Sequence, residues 1–226
     1  MPFLSFSCMI MPPDPRIRIR LACHADLPAL LGICHDTVLA GQAPPRQLPF
    51  AWLPGCLYVE PYLHAVQAWV WVLEDAAGVV GYAAGAADSA AFYAWLNAQW
   101  LPPRRREGDN TVHSPAQSPG DAAGALATAA LHARLMARLN SDWQVPSGLQ
   151  AFPAHLHINL LPRAQGQGAG RRLIHRMLAS LAQAGARGVH WGVDPANVAA
   201  TGFYRKLGFT VVMEEPGCVW FASALP

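Results

Sequence analysis

The amino-acid sequence predicts an α/β fold, of the α+β type, around a sheet that contains both antiparallel and parallel strand pairs. Two apolar runs within residues 68–88 are separated by the short polar stretch 74–78, which predicts an antiparallel hairpin. Farther along, the alternating stretches "HLHINLLP" (155–162) and "GVHWGV" (188–193) flank a glycine-rich loop and an amphipathic helix. This order is a βαβ crossover, so the two strands are expected to start parallel.

The remaining elements follow from periodicity and helix-end signals. "RIRIRLA" (16–22) alternates as a strand, and a helix capped by His24 or Asp26 follows it. A helix through Phe92, Leu96 and Trp100 is expected to stop at Pro102 and Pro103, with a loop from Arg104 to about Gly124. Further helices are predicted over residues 125–139, with Leu131, Leu135 and Leu139 in one apolar stripe, and over residues 170–185.

Length and composition bound the organisation of the chain and its class. The 226 residues suit one domain, and we expect a disordered leader at 1–15, a single domain at 16–226 and a helical and loop insertion at about 88–150. No apolar run approaches the roughly 18 residues that span a bilayer, which argues against a membrane protein. A net charge of +2 without a basic stripe argues against a nucleic-acid partner. Five scattered cysteines without metal-ligand spacing predict a cytoplasmic protein and no metal site.

The stretch "QGQGAGRR" (165–172) lies between the first crossover strand and its helix. Glycines at 166, 168 and 170 would let an anion approach the backbone N–H groups at the helix N-terminus, where the helix dipole also favours negative charge. A merely tight turn between strand and helix is the alternative. The dinucleotide motif needs a glycine where Arg171 stands, and the phosphate-loop ending Gly-Lys-Ser/Thr is absent, so neither of these nucleotide sites is predicted.

A second unit, "DPANVAATGFYRKLGF" (194–209), predicts a short helix with Asp194 or Asn197 as its N-cap and Gly208 just past its end. Tyr204 lies beside the apolar face formed by Phe203 and Leu207. A phenol in that position is expected to be partly buried with its hydroxyl free to donate.

Together, "LLPRAQGQGAGRRLIHRML" and "NVAATGFYRKLGF" resemble the GNAT superfamily of N-acetyltransferases. The loop matches that family's Q/R-x-x-G-x-G/A motif in two registers, of which the one starting at Gln165 is preferred because Arg171 then begins the helix. The resemblance implies the GNAT fold, a mixed and mostly antiparallel sheet with a splayed parallel strand pair and flanking helices. Stretches such as "LYVEPYL" and "FYAWLNAQWLPP" look closest to bacterial acetyltransferases related to the C-terminal domain of O-GlcNAc hydrolases.

The resemblance also implies acetyl-CoA as cosubstrate, bound between the two parallel strands with its pyrophosphate on the loop amides. The implied contacts are Leu160, Leu161, Arg163, Gln165, Gly166, Gln167, Gly168, Ala169, Gly170, Arg171, Asn197, Phe203 and Tyr204. The amide of Leu161 or of a neighbouring strand residue would polarise the acetyl carbonyl. Tyr204 matches the family's general acid, with a packing tyrosine as the alternative, and Asn197 serves equally well as an N-cap.

The general base is left between two residues. His157 shares a strand face with His155 and Asn159 and is suited to a relay through water, while Asp194 ends the next strand and also suits a helix cap. The expected acceptor is an amine of a small molecule or a protein, and the expected assembly is a monomer or homodimer. The alternative function is a catalytically silent module that binds CoA or a protein partner.

Overall fold

The computed structural model describes residues 17–110 and 122–226. The expected leader at 1–15 and most of the expected loop between Arg104 and Gly124 lie outside these residues. Within them, seven strands form one mixed sheet in the order β1-β2-β3-β4-β5-β7-β6. The strands are β1 (Arg18–Leu21), β2 (Ala68–Asp75), β3 (Gly78–Ala86), β4 (Ala154–Leu160), β5 (Gly188–Val193), β6 (Thr210–Glu215) and β7 (Cys218–Ala224).

Helices cover both faces of this sheet. One face packs against α6 (Ala169–Gln183), whose buried Leu173, Ile174 and Met177 form a core with β2, β3 and β4. The other face packs against α1 (Leu27–Thr37), α2 (Leu53–Tyr58) and the helices inserted between β3 and β4. The last helix, α7 (Val198–Lys206), follows β5. None of the helices in the described ranges is long and apolar enough to cross a membrane.

The inserted helices differ from the prediction at Pro102 and Pro103. Instead of stopping there, α3 (Ser89–Trp95) continues through a π-helical turn (Leu96–Trp100) into α4 (Leu101–Asn110). Both prolines lie in the first turn of α4, where a missing N–H costs little because that amide has no partner within its own helix. The expectation of a loop beginning at Arg104 is therefore wrong. The helix predicted over 125–139 is confirmed as part of α5 (Ala122–Asn140), with Leu131, Leu135 and Leu139 buried.

The strand pair that matters for the site is β4 with β5. All other neighbours in the sheet are antiparallel, whereas β4 and β5 run parallel and pair only at Ala154 with Val189 and His155 with His190. Beyond these two pairs the strands separate, which confirms the expected splayed parallel pair. We call the opening between the separated strands the strand gap.

Candidate functional site

The glycine loop presents a row of free amides at the N-terminus of α6. Gly166 and Gly168 adopt left-handed backbone conformations, with φ of 78° and 72°, which L side chains rarely adopt. Within the described chain, the amides of residues 166–171 donate no hydrogen bond, while the next amide, that of Arg172, donates to the Gly168 carbonyl. A Cβ at Gly168 would meet no other atom within 4 Å, so the space beside the loop is open there. The loop therefore has the geometry of an anion cradle.

Gly170 has a different reason to be glycine. Its backbone is helical, and a Cβ there would lie 3.0 Å from Leu160 Cδ1 and 3.5 Å from Phe203 Cζ. Gly170 therefore lets α6 approach β4 and α7 closely, and it does not serve anion approach as the sequence suggested. This contact also fixes the cradle against the end of β4 and against the helix that carries Tyr204.

The side chains around the cradle divide into paired and free groups. Gln165 Nε2 donates to the Leu160 carbonyl at 2.9 Å, which ties the loop to the end of β4. Arg163 Nε lies 3.3 Å from Asp75 Oδ2, so its guanidinium is already paired at the β2–β3 turn. The exposed Arg171 has no hydrogen bond or ion pair to any residue of the described ranges. Arg171 is thus the better placed of these two arginines to meet an anion.

Strand register decides which backbone amides face the strand gap. Leu161 N donates to Val80 O at 2.9 Å, and the β3–β4 register places every second residue of β4 in the same relation to β3. The amides of Leu160 and Ile158 consequently point away from β3, towards the gap. The Leu161 amide is therefore not available to polarise a carbonyl, and the alternative named from the sequence, an amide of a neighbouring strand residue, has Leu160 and Ile158 as its candidates.

The strand gap has a volume of about 330 Å³ and lies between β4, β5, α1 and α7. It is lined by Thr37, Gly41, Ile158, Asn159, Asn197 and Tyr204, among others. Asn197 Oδ1 accepts a hydrogen bond from Ala200 N at 3.0 Å, so its interpretation as the N-cap of α7 is confirmed. Asn159 Nδ2 donates to Thr37 Oγ1, which links β4 to α1 across the gap wall.

Tyr204 combines a buried ring with an accessible hydroxyl. The residue is 5% exposed, and its ring contacts Trp191, Phe209 and Phe221. Its hydroxyl has no hydrogen-bond partner in the described chain, but it is not sealed from solvent as the buried orphan atoms are. Burial raises the pKa of the phenol above its ordinary value of 10, so the proton stays on the oxygen at neutral pH.

A second cavity of about 650 Å³ adjoins the strand gap, and we call it the side chamber. Its walls are largely aromatic and come from α2, the inserted helices, β5 and β7: Tyr58, Tyr93, Trp143, His190 and Trp220. His157, Leu156 and Asp194 line both cavities. Because they border both spaces, these residues mark the junction of the gap and the chamber.

His157 lies at this junction as a neutral imidazole. Burial lowers its pKa to about 4, and the positive charge of Arg138 acts in the same direction. Its ring makes edge contacts with Tyr58 and Tyr62, at centroid distances of 5.6 and 5.9 Å. Neither ring nitrogen is hydrogen-bonded to another described residue, so a lone pair is free to accept a proton.

Asp194, the other candidate base, is already engaged. Its Oδ2 lies 3.2 Å from Arg134 Nη1, and its Oδ1 accepts a hydrogen bond from Ala196 N at 2.9 Å. Both oxygens of Asp194 therefore already have partners, and one of these contacts stabilises the start of α7.

His155 belongs to the core and not to the cavity chemistry. Tyr62 Oη lies 2.7 Å from its Nε2 and Ser89 Oγ lies 2.8 Å from its Nδ1, so both nitrogens have partners. The residue is 2% exposed, and burial holds its pKa well below the ordinary value. In residues 17–110 and 122–226 no group of three or more His, Cys, Asp or Glu side chains is arranged to hold a metal ion.

Comparison with known proteins identifies the family of this chain. The model of the acetyltransferase (GNAT) family matches residues 40–209, which include β4, the cradle, β5 and α7. The chain belongs to the GNAT acetyltransferase family. Its structure is also similar to the crystal structure of SsHAT, with a TM-score of 0.72 and 31% identity over 93% of this chain and 98% of that one.

Two further similarities involve proteins of Salmonella typhimurium. The structure of yncA, a putative acetyltransferase with its cofactor acetyl-CoA, shares the GNAT fold, with a TM-score of 0.51 and 18% identity, covering 93% of this chain and 95% of that one. An L-methionine sulfoximine/L-methionine sulfone acetyltransferase is 29% identical over 75 residues. That match covers 33% of this chain and 43% of the curated relative, less than half of its length.

Proposed function

We propose that this GNAT protein transfers the acetyl group of acetyl-CoA to an amine of a small molecule or a protein. The observation that carries the proposal is the row of free amides at residues 166–171, next to a strand gap bordered by the Tyr204 hydroxyl. A pyrophosphate suits this row because the donors converge at a helix N-terminus and the space beside the loop at Gly168 is open. Acetyl-CoA supplies the thioester from which the acetyl group is taken.

In this proposal the cradle holds the diphosphate end and the strand gap holds the pantetheine arm. Residues Gln165 to Arg171 supply amides and the Arg171 charge, while Leu160, Asn197 and Phe203 border the arm. Leu161 and Arg163 contribute less, because the amide of the first and the guanidinium of the second already have partners. The binding assignment thus concentrates on the loop and α7.

The chain's own groups can then perform direct transfer. The amide of Leu160 or that of Ile158, which lie too far apart along the strand to share one oxygen, donates to the carbonyl oxygen as negative charge develops there. His157 accepts the proton that the amine loses when the new C–N bond forms. Tyr204 donates its proton to the sulfur as the C–S bond breaks, and burial keeps that proton available at neutral pH. His157 is proposed as the base before Asp194 because its nitrogens are free.

Calorimetry with acetyl-CoA, followed by a thiol-release screen over amines, tests the proposal. We expect binding with a Kd that rises with salt, since the cradle recognises charge, and CoA release that depends on the amine. Binding without turnover over a broad amine panel would support the silent CoA-binding module instead. Absence of binding would refute both CoA functions.

The resemblance to bacterial relatives of the C-terminal domain of O-GlcNAc hydrolases supports a finer proposal. We propose that residues 16–226 form one acetyltransferase domain of that type, which acts as a monomer or homodimer. Its complete glycine loop supports retained cofactor binding. Light scattering with and without acetyl-CoA measures the assembly, and a larger oligomer in both states would contradict it.

A further inference from the structure

The side chamber contains a guanidinium that forms no ion pair with a carboxylate of the described ranges, 17–110 and 122–226. Arg138, in the last turn of α5, lies with its guanidinium carbon 3.5 Å from the ring centroid of Trp143. The Arg138 guanidinium donates one long hydrogen bond to a side chain, from Nη1 to Ser141 Oγ at 3.5 Å, which is the limit for such a bond. Most of its five N–H donors are therefore unused, although the side chain is partly buried.

The platform that holds this arginine is rigid. Trp143 is 3% exposed, its backbone N–H donates to Asn97 Oδ1 at 2.9 Å, and its indole N–H donates to the Arg138 carbonyl at 3.2 Å. Asn97 in turn donates to the Trp143 carbonyl at 2.9 Å. The guanidinium plane is thus fixed by stacking while its edge remains free to bind.

Two other arginines of the described residues also stack on tryptophan rings, but their surroundings differ from those of Arg138. Arg104 stacks on Trp100 at 3.3 Å, but it lies 3.6 Å from Glu60 Oε1 and donates to the Trp100 carbonyl at 3.1 Å. Arg176 stacks on Trp71 at 4.4 Å on the exposed face of α6. Arg138 differs from both because it lines a cavity and forms no ion pair with an acid among the residues that the structure describes.

The charges that line the side chamber therefore do not cancel. Asp194 lines its edge but is paired with Arg134, so these two charges offset each other. His157 and His190 are neutral at pH 7, because burial lowers the pKa of each imidazole. The lining is left with the single positive charge of Arg138, which lies in a mostly aromatic and apolar wall.

Two phenol hydroxyls extend this recognition surface. Tyr58 and Tyr93 line the chamber, and neither hydroxyl has a hydrogen-bond partner in the described ranges. Both lie close enough to Arg138 to interact electrostatically with its guanidinium. Neutral phenols and a guanidinium are all donors, so together they fit the two oxygens of a carboxylate.

We propose that Arg138 binds a carboxylate of the acceptor, so that the substrates of this enzyme are small amines that also carry a carboxylate group. This inference rests on the proposed acetyl transfer and assigns the substrate class of the same site. The chamber, at about 650 Å³, has the size of a small-molecule site, and its aromatic walls suit an apolar body between the amine and the acid. Because the chamber meets the strand gap at His157, the amine end of such a molecule reaches the proposed base.

The test compares ω-amino acids of increasing chain length, and phenylalanine, with the carboxamide of each. Each pair keeps its size and its amine but differs in charge, and rates are compared at equal concentrations of unprotonated amine. For the amino acid whose chain length gives the highest rate, kcat/KM is expected to be about 10- to 100-fold higher than for its carboxamide. This factor corresponds to the loss of one hydrogen bond to a charged group. Binding of the N-acetylated acid and of its amide, measured by calorimetry, gives a second readout that needs no turnover.

Matched variants assign the effect to Arg138. Arg138→Met keeps a flexible chain on Trp143 without the charge and should abolish the preference, whereas Arg138→Lys should retain part of it. Arg176→Met removes a stacked arginine outside both cavities and should behave as wild type. Tyr93→Phe removes one hydroxyl and should reduce the preference for acids over carboxamides less than Arg138→Met does. If Arg138→Met folds poorly, Tyr93→Phe still tests the proposed carboxylate site.

The two levels of inference fail in different ways. If wild-type protein binds acetyl-CoA and acetylates acids and carboxamides equally, and the N-acetylated acids bind no better than their amides, the role of Arg138 is refuted while acetyl transfer stands. If acetyl-CoA does not bind, the proposed function itself is refuted. A preference for acids that survives in Arg138→Met would also overturn the assignment.

Discussion

Replacing Gly168 tests the anion cradle with a control at the opposite end of the same helix. Gly168 precedes α6 with φ of 72°, and Gly185 follows it with φ of 89°, while a Cβ at either position would meet no atom within 4 Å. Alanine should cost about 1 to 2 kcal/mol at each, since an L residue in the left-handed region carries that strain. Because 1 kcal/mol shifts the Tm of a domain of this size by about 2 to 4 °C, Gly168→Ala and Gly185→Ala should melt at similar temperatures below wild type.

Replacing the same two glycines by glutamate distinguishes an effect on acetyl-CoA binding from an effect on protein stability. In Gly168→Glu the new carboxylate would compete for the free amides of α6 and repel a pyrophosphate. The loss of one charge-assisted hydrogen bond weakens binding about 10- to 100-fold, and like-charge repulsion adds to this loss. Gly185→Glu adds the same charge where no anion is expected, so its Kd for acetyl-CoA should equal that of wild type. Calorimetry at one fixed ionic strength measures both, and an unchanged Kd in Gly168→Glu would mean that the pyrophosphate lies elsewhere.

Three further predictions concern residues that line the strand gap. Tyr204→Phe should keep the Kd for acetyl-CoA and slow transfer by about 100-fold, the lower range for a general acid, and an equal rate at every pH would make Tyr204 a packing residue. His157→Gln should slow acetyl transfer more than Asp194→Asn, since both Asp194 oxygens already have partners. Steady-state rates of the two variants at pH 7 measure this, and the reverse order would make Asp194 the base. Because the folded pKa of His157 is about 4, below an unfolded value of about 6.5, the unfolded chain binds more protons between these values and stability should fall as pH drops through that window. Urea unfolding at pH 7.5 and 5 measures this, and His157→Gln should lose less stability than wild type over the same interval.

The sequence was sufficient where one local pattern determines the structure. The alternation in β4 and β5, the glycines at 166 and 168 and the N-cap at Asn197 each depend on neighbouring residues, and each was predicted from them. The antiparallel β2–β3 hairpin and the splayed pair were predictable for the same reason. The roles of His157, Tyr204 and the loop in acetyl transfer remain predictions that await the experiments above.

The structural features that the sequence did not predict depend on contacts between residues far apart in the chain. Which amides of β4 face the strand gap follows from its register on β3, so the pairing of Leu161 with Val80 could not be anticipated. The helix across Pro102 requires a π-helical turn that no local pattern indicates. Strand β7, which pairs between β5 and β6, also went unrecognised.

Arg138 illustrates a signal that was present but not used. It follows Leu131 by seven residues and Leu135 by three, so it borders the apolar stripe of α5. Periodicity identifies that border position. It does not reveal that a cavity, and not solvent or a carboxylate, lies beside it.

The short β4–β5 ladder divides the sheet into two cooperative units. Strands β1 to β4 form one, strands β5 to β7 form the other, and two residue pairs join them. A ligand that fills the opening would bridge the units in place of the missing hydrogen bonds. Amide hydrogen exchange should therefore show β5, β6, β7 and α7 opening together in the free protein, at a lower free energy than β2 and β3. Acetyl-CoA should slow exchange most in that carboxyl-terminal unit, so cofactor occupancy would set how long this half of the molecule resists proteolysis.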